Sequence, residues 1–275
     1  MGVFDFFSKK NKRKQRPAEA QNPPQPEHSQ EQNHAQPHTP RNEQGEYLGD
    51  LEKTAQIEQL FQRPQEERDE AWVLEFYRAA ADASFKCIAP QVVQGPDGFP
   101  YVKLELPTPG ERFQCYVLRH MMDDFLLDKG LGVVIIGADQ QPLWVFSYGD
   151  ILNLHLHGAF EATHPIFTPK RHDETLQGER KVWQGEPAQD ILPACARNAI
   201  AAMLKRFYDE PRLTLLYHAE EENYELAFNA TPDKFADMDT FRAVLQQIGW
   251  FLPRYYAYCA AEENEGSFCL LEKHS

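Results

Sequence analysis

Hydrophobic positions along this chain change period repeatedly, and each change marks an element. Trp72, Phe76, Ala79 and Ala83 share one helical face across residues 68–85. Two short apolar or alternating runs follow, Ile88–Val93 and Tyr101–Leu106, separated by "QGPDGFP". Pro96, Asp97 and Gly98 are turn formers, so the pair predicts a hairpin. Residues 112–129 predict a second helix, with Phe113, Val117, Met121 and Met122 inward and Gly130 as its stop. "GVVIIG" and "LWVFSY" predict a second hairpin around Ala138–Pro142.

Beyond residue 190 the order recurs. Asp190 can cap a helix whose first turn tolerates Pro193, with Leu192, Cys195, Ala199, Met203 and Phe207 as its buried stripe. Strands Leu213–His218 and Tyr224–Asn229 flank the acidic turn "AEEEN". Phe241, Val244, Leu245, Ile248 and Phe251 share a helix face that Pro253 ends. "YYAYCAA" and "SFCLLE" predict a last hairpin. Matching elements stand about 123 positions apart, so that Trp72 falls on Cys195 and Thr108-Pro109 on Thr231-Pro232. The alternation of 101–106 is one residue out of phase with 224–229, which implies either a bulge between the halves or convergent patterning.

The pattern therefore predicts an α+β fold of two tandem helix-strand-strand-helix-strand-strand units, with antiparallel sheets and helices packed on one face. The first unit spans 66–157, a connector 158–189, and the second unit 190–275. Each unit alone has a marginal core, and packing the two together hides more apolar surface.

The N-terminal residues lack this periodicity. Residues 46–65 predict a short amphipathic helix and a linker, with Leu48, Leu51, Ile57, Leu60 and Phe61 as its apolar positions. Residues 17–45 are dense in Gln, Pro, Glu, Asn and His, cannot offset their ordering entropy by burial, and are expected to be disordered. Residues 1–16 form a basic aromatic tip. Phe4, Phe6 and Phe7 precede Lys9, Lys10, Lys12, Arg13 and Lys14. Aromatic residues beside a polybasic run can tether a chain weakly to an anionic membrane surface. The alternatives are a solvated start or a peptide docking on the chain's own domain. Phe6 occupies the position where a myristoylation signal wants Ser or Thr.

Composition narrows the function classes. The 275 residues are 42% hydrophobic and carry a net charge of −14. The tip has a local charge of +5, so the remainder carries −19, which disfavours whole-surface nucleic-acid binding. The five cysteines are odd in number and form no CxxC, which argues against a disulfide framework or zinc ribbon and for a reducing cytoplasm. No apolar run reaches the ~18–20 residues of a membrane span, and the basic cluster follows the first apolar residues, unlike a signal peptide.

Candidate chemistry is sparse. The chain has no GxSxG, HExxH, P-loop or GxGxxG, so no cofactor is expected. The sharpest feature is "LNLHLHGAF". His155, His157, His164 and His172 are the candidate metal ligands. On a strand, His155 and His157 would share a face about 7 Å apart and could chelate. On an α-helix they would stand about 200° apart and could not. Ser147 with Asp150 has the form of a capping box, and Gly158 is placed as a C-terminal stop, so the residues favour a short helix. His218 beside the three glutamates reads as a surface pair. The long connector offers Phe160, Phe167 and Trp183 as partner-binding anchors in a groove between the halves, or as pins holding the connector to the core.

The helix–hairpin–helix–hairpin order over about 70–275, together with the acidity, resembles the type III secretion chaperone-like fold. That resemblance implies a small, acidic, non-catalytic binding protein. The family's usual unit has a third strand in its first sheet and a closing helix, and it dimerises. No site residues carry over from it. "LWVFSYGDILNLHLHG" and "FRAVLQQIGWFLP" also resemble stretches of bacterial proteins without assigned activity. The expectation is a non-catalytic protein-binding protein, adaptor- or chaperone-like, of the bacterial cytoplasm, weakly membrane-tethered by its tip. Its partner is an unidentified protein, and its oligomeric state is left open. The alternative is an enzyme or a small-ligand or metal-binding protein using the groove near 158–189.

Overall fold

Asp50 starts the first helix by accepting the backbone N–H groups of Glu52 and Lys53. This helix, α1 (Leu51–Phe61), lies against α2 (Glu70–Ala80), which Asp69 caps. The Trp72 indole N–H donates to the Leu60 carbonyl at 2.9 Å, so the largest buried side chain of α2 also satisfies its polar atom. The computed structural model describes residues 49–167, 182–219, 222–263 and 268–272. The tip (Phe4, Phe6, Phe7, Lys9, Lys10, Lys12, Arg13, Lys14), the 17–45 linker and His172 lie outside the described residues.

The first sheet contains β1 (Phe85–Gln94), β2 (Pro100–Glu105), β3 (Cys115–Tyr116), β4 (Gly132–Ile136) and β5 (Pro142–Phe146), in the order β3-β1-β2-β4-β5. Between β3 and β4 the chain forms α3 (Leu118–Met121), a π turn (Met122–Leu126) and α4 (Leu127–Lys129), and Gly130 ends α4 in the left-handed region at φ 65°. Helix α5 (Tyr148–His157) follows β5. The second sheet contains β6 (Val182–Gly185), β7 (Arg212–His218), β8 (Asn223–Phe228), β9 (Tyr258–Ala260) and β10 (Cys269–Leu270). Helix α6 (Ala194–Leu204) precedes β7, and α7 (Met238–Phe251) joins β8 to β9. The sheet order is β10-β7-β8-β9, with β6 also beside β7.

The α+β class and the strand-pair units of the two halves are present, with differences of detail. Both sheets are mixed, not antiparallel: β2 pairs β4 in parallel, and β8 pairs β9 in parallel. A crossover of helical length returns the chain to the same end of the sheet, which forces parallel pairing. The helix expected over 112–129 begins at Leu118, because Cys115 and Tyr116 pair with Lys86 and Phe85 as a third strand. Asp190 does not cap α6. Pro193 holds the capping position without a side-chain bond, and Gln189 Oε1 accepts the Ala194 N–H at 3.0 Å. The last two strands form no hairpin, since β10 crosses to pair with β7. A register shift separates Ile135 from Ile136 in β4, and another lies in β1, between Cys87 and Val92. Pro90 sits there and has no N–H to give the ladder.

One hydrophobic cluster runs through both halves. It includes Phe76, Phe85, Leu104, Leu118, Ile135, Phe146 and Tyr148 from the first, and Ile200, Leu213, Leu226, Phe228 and Ile248 from the second. A shared core of this kind supplies the apolar burial that neither half would have alone. Among the described residues, no helix is long and apolar enough to cross a membrane.

Candidate functional site

The helix α5 anchors the junction between the halves. Its capping box is complete: Ser147 Oγ accepts the Asp150 N–H at 3.1 Å, and Asp150 Oδ2 accepts the Ser147 N–H at 2.8 Å. Asp150 also receives the Arg254 guanidinium, Nε at 2.8 Å and Nη2 at 2.9 Å. Gly149 permits a very close approach here, because a Cβ at that position would meet the Leu252 carbonyl oxygen at 1.9 Å. Gly158 closes the helix at φ 72°.

On this helix the two histidines diverge. His155 Nδ1 meets Asp123 Oδ1 at 2.8 Å, on the π turn. His157 Nε2 meets the Tyr255 hydroxyl at 2.9 Å, on the second half. They share no metal-chelating face. Among the described residues, no three His, Cys, Asp or Glu side chains converge as metal ligands.

His157 does gather a cluster. The His164 ring lies 5.7 Å from it, centroid to centroid. The Tyr255 hydroxyl donates to Asn153 Oδ1 at 2.9 Å. The Asn153 amide N–H2 donates to the Phe160 and Ala162 carbonyls, each at 2.9 Å, and so fixes the start of the connector. Burial pushes the His157 ring below its ordinary pKa, His164 adds to this, and Asp190 opposes it. Burial likewise lowers His164, again against Asp190. Burial pushes the Tyr255 phenol up to about 12, although the His164 backbone N–H favours its ionised form. The result is two neutral imidazoles and a neutral phenol at pH 7. The phenol oxygen donates to Asn153 and faces His157 and the His164 N–H, which uses its hydrogen-bonding capacity. Among the described residues, His157 bonds the Tyr255 hydroxyl and no carboxylate.

Of the three connector aromatics, Phe160 and Phe167 are buried and Trp183 is 59% exposed. Phe167 stacks on Tyr256 with centroids 4.0 Å apart, and Phe160 stacks on Phe146 at 4.5 Å. These two pin the connector. Trp183 stands on β6, directly opposite Tyr217 on β7, and Tyr217 stands opposite Tyr224 on β8. Directly opposed residues of antiparallel strands point to the same face. The three therefore form an aromatic row across the second sheet. The Tyr217 and Tyr224 rings lie 4.7 Å apart and are half-buried.

Two other groups are structural. Arg197 is fully buried and donates to the Leu192 and Pro187 carbonyls and to Glu186, tying down the end of the connector. His218 and Glu225 meet at 3.2 Å inside the protein, where a surface pair was expected. The ladder sets their depth: β6 and β8 flank β7 and cover both neighbours of His218. Sequence reasoning missed Asn153, Tyr217, Tyr224, Arg254 and Tyr255. Only strand register could have brought the tyrosines together with Trp183.

No family model, no curated protein and no solved structure matches this chain.

Proposed function

We propose that this protein is a non-catalytic binding protein, adaptor- or chaperone-like, acting in the cytoplasm on another protein. One observation carries the reading. The aromatic row of the second sheet reaches solvent at Trp183, 59% exposed on the short outer strand β6, while the histidine cluster is spent on internal hydrogen bonds. Exposed tryptophan and tyrosine are the residue types that dominate binding energy at protein interfaces. The basic tip belongs to the same reading as a weak tether to anionic lipid.

Placing a photoreactive benzoylphenylalanine at position 183 in the living source cell tests the binding role. A discrete protein adduct is expected there and not from the exposed control position Arg78. Equal labelling from both positions, or none, would overturn the reading. Loss of liposome co-sedimentation on deleting residues 1–16 is expected for the tether, and unchanged sedimentation removes it.

A further inference from the structure

We propose that the outer face of the first sheet, across β2, β4 and β5, packs against the same face of a second copy of the chain about a two-fold axis. This goes beyond the binding role above and uses the other half of the molecule.

The first sheet buries apolar residues on both sides. Val102, Leu104, Val133, Ile135 and Phe146 point into the shared core. Tyr101, Val134 and Ile136 alternate with them, point the other way and form a second hydrophobic cluster. Ile88, Val93, Phe99 and Trp250 pack against that cluster, and of these only Trp250 comes from a helix. Val145 pairs with Val134 and carries the apolar stripe to the edge strand β5, where it is 42% exposed. Apolar patches with a polar rim are the usual ground of protein interfaces.

Charge selects a second copy as the occupant. The chain carries −14, so two copies repel one another over most of their surface. On this face the charges balance. Lys86, Lys103 and Glu105 are the charged residues of β1, β2, β4 and β5, and Glu111 joins them from the loop after β2. Lys86 bonds Glu105 at 2.6 Å and Glu111 at 3.0 Å. Among the described residues, Lys103 has no ion-pair partner. A uniformly acidic or basic partner would match one of Lys103 and Glu105 and repel the other, two residues along the same strand.

The ladder supplies a reciprocal register. Lys103 lies level with Val134, and Glu105 lies level with Ile136. A two-fold axis between two stacked sheets, crossing the strands at Leu104, exchanges those levels. Lys103 then faces Glu105 of the second copy, and Val134 faces Ile136. Stacked sheets lie about 10 Å apart, a gap that a lysine and a glutamate side chain bridge together.

Sedimentation velocity of the full-length protein over a concentration series tests this, with circular dichroism as the control for folding. Wild type should dimerise. Lys103→Glu and Glu105→Lys should each weaken the dimer about tenfold or more, because each sets like charges across the axis twice. An equimolar mixture of these two variants should recover the wild-type dimer, since opposite charges then face one another. Val145→Asp should also weaken the dimer, and it leaves the Lys86–Glu105 pair untouched. A wild type that stays monomeric overturns the proposal, while a discrete adduct at position 183 would still uphold the binding role. Dimerisation that survives Lys103→Glu and Val145→Asp overturns it, as does a mixture that fails to recover. A dimer lost in Trp183→Ala but kept in Lys103→Glu would assign the contact to the second sheet and overturn it too.

Discussion

The junction around α5 and the rim of the second sheet have similar ingredients and opposite outcomes. Both combine aromatic rings, carboxylates and groups that suggest chemistry. At the junction, Asp150, Asn153, His157 and Tyr255 all bond one another's elements, and Arg254 completes the Asp150 carboxylate. At the rim, Trp183 is 59% exposed, and the two tyrosines are partly buried. Polar groups buried together must satisfy one another, so such a cluster holds the fold. An aromatic row at a sheet margin is stable half-exposed, because its rings rest on the core while their polar tips meet water. Changes at the junction should therefore lower stability, and changes at the rim should lower binding alone.

The largest effect is expected at Gly149. An added methyl favours a helix by up to ~1 kcal/mol, but the contact at 1.9 Å is with backbone that cannot step aside. Gly149→Ala should lose about 3 kcal/mol in urea denaturation; a gain in stability would mean the halves do not meet there. Arg254→Ala comes next. It leaves the nearly buried Asp150 carboxylate with its helix-cap partners only, at a cost of about 2 kcal/mol. Tyr255→Phe removes the bond to Asn153 and should cost about 1 kcal/mol. In both variants, an unchanged adduct at position 183 keeps junction and rim distinct, and a parallel loss would merge them.

Acid gives a smaller test of the same contrast. His157 and His164 have folded pKa values below 6.5, so their unfolded forms take up protons first. Their contribution is complete above about pH 6.5 and is lost as pH falls through the lower folded values. Replacing His157 with Gln should flatten that slope of stability against pH, whereas Trp183→Ala should leave it intact. The smallest stability effect belongs to Trp183→Ala itself, within ~0.5 kcal/mol of wild type. A larger loss would mean the row is part of the core.

Much of the fold can be read along the chain because it is local. The capping residues Ser147 and Asp150 and the stop at Gly158 define α5 within its own sequence, and helical spacing alone separates His155 from His157. The helices α2 and α7 follow from their apolar stripes. The candidate site is a different matter. Trp183 stands out by residue type, but nothing near it in sequence points to Tyr217 and Tyr224. Phe160 and Phe167 carry the same apolar signal as Trp183 and are buried.

Local patterning thus set the elements, their order and the geometry of the histidine pair, since caps, turns and periodicity act over a few residues. Tertiary structure alone decided the rest. It chose β7 over β9 as the neighbour of β10 and drew β6 out of the connector. It also buried Phe167 and left Trp183 59% exposed. Those outcomes depend on which edges and core faces remain open once both halves pack, and segments distant in sequence compete for them.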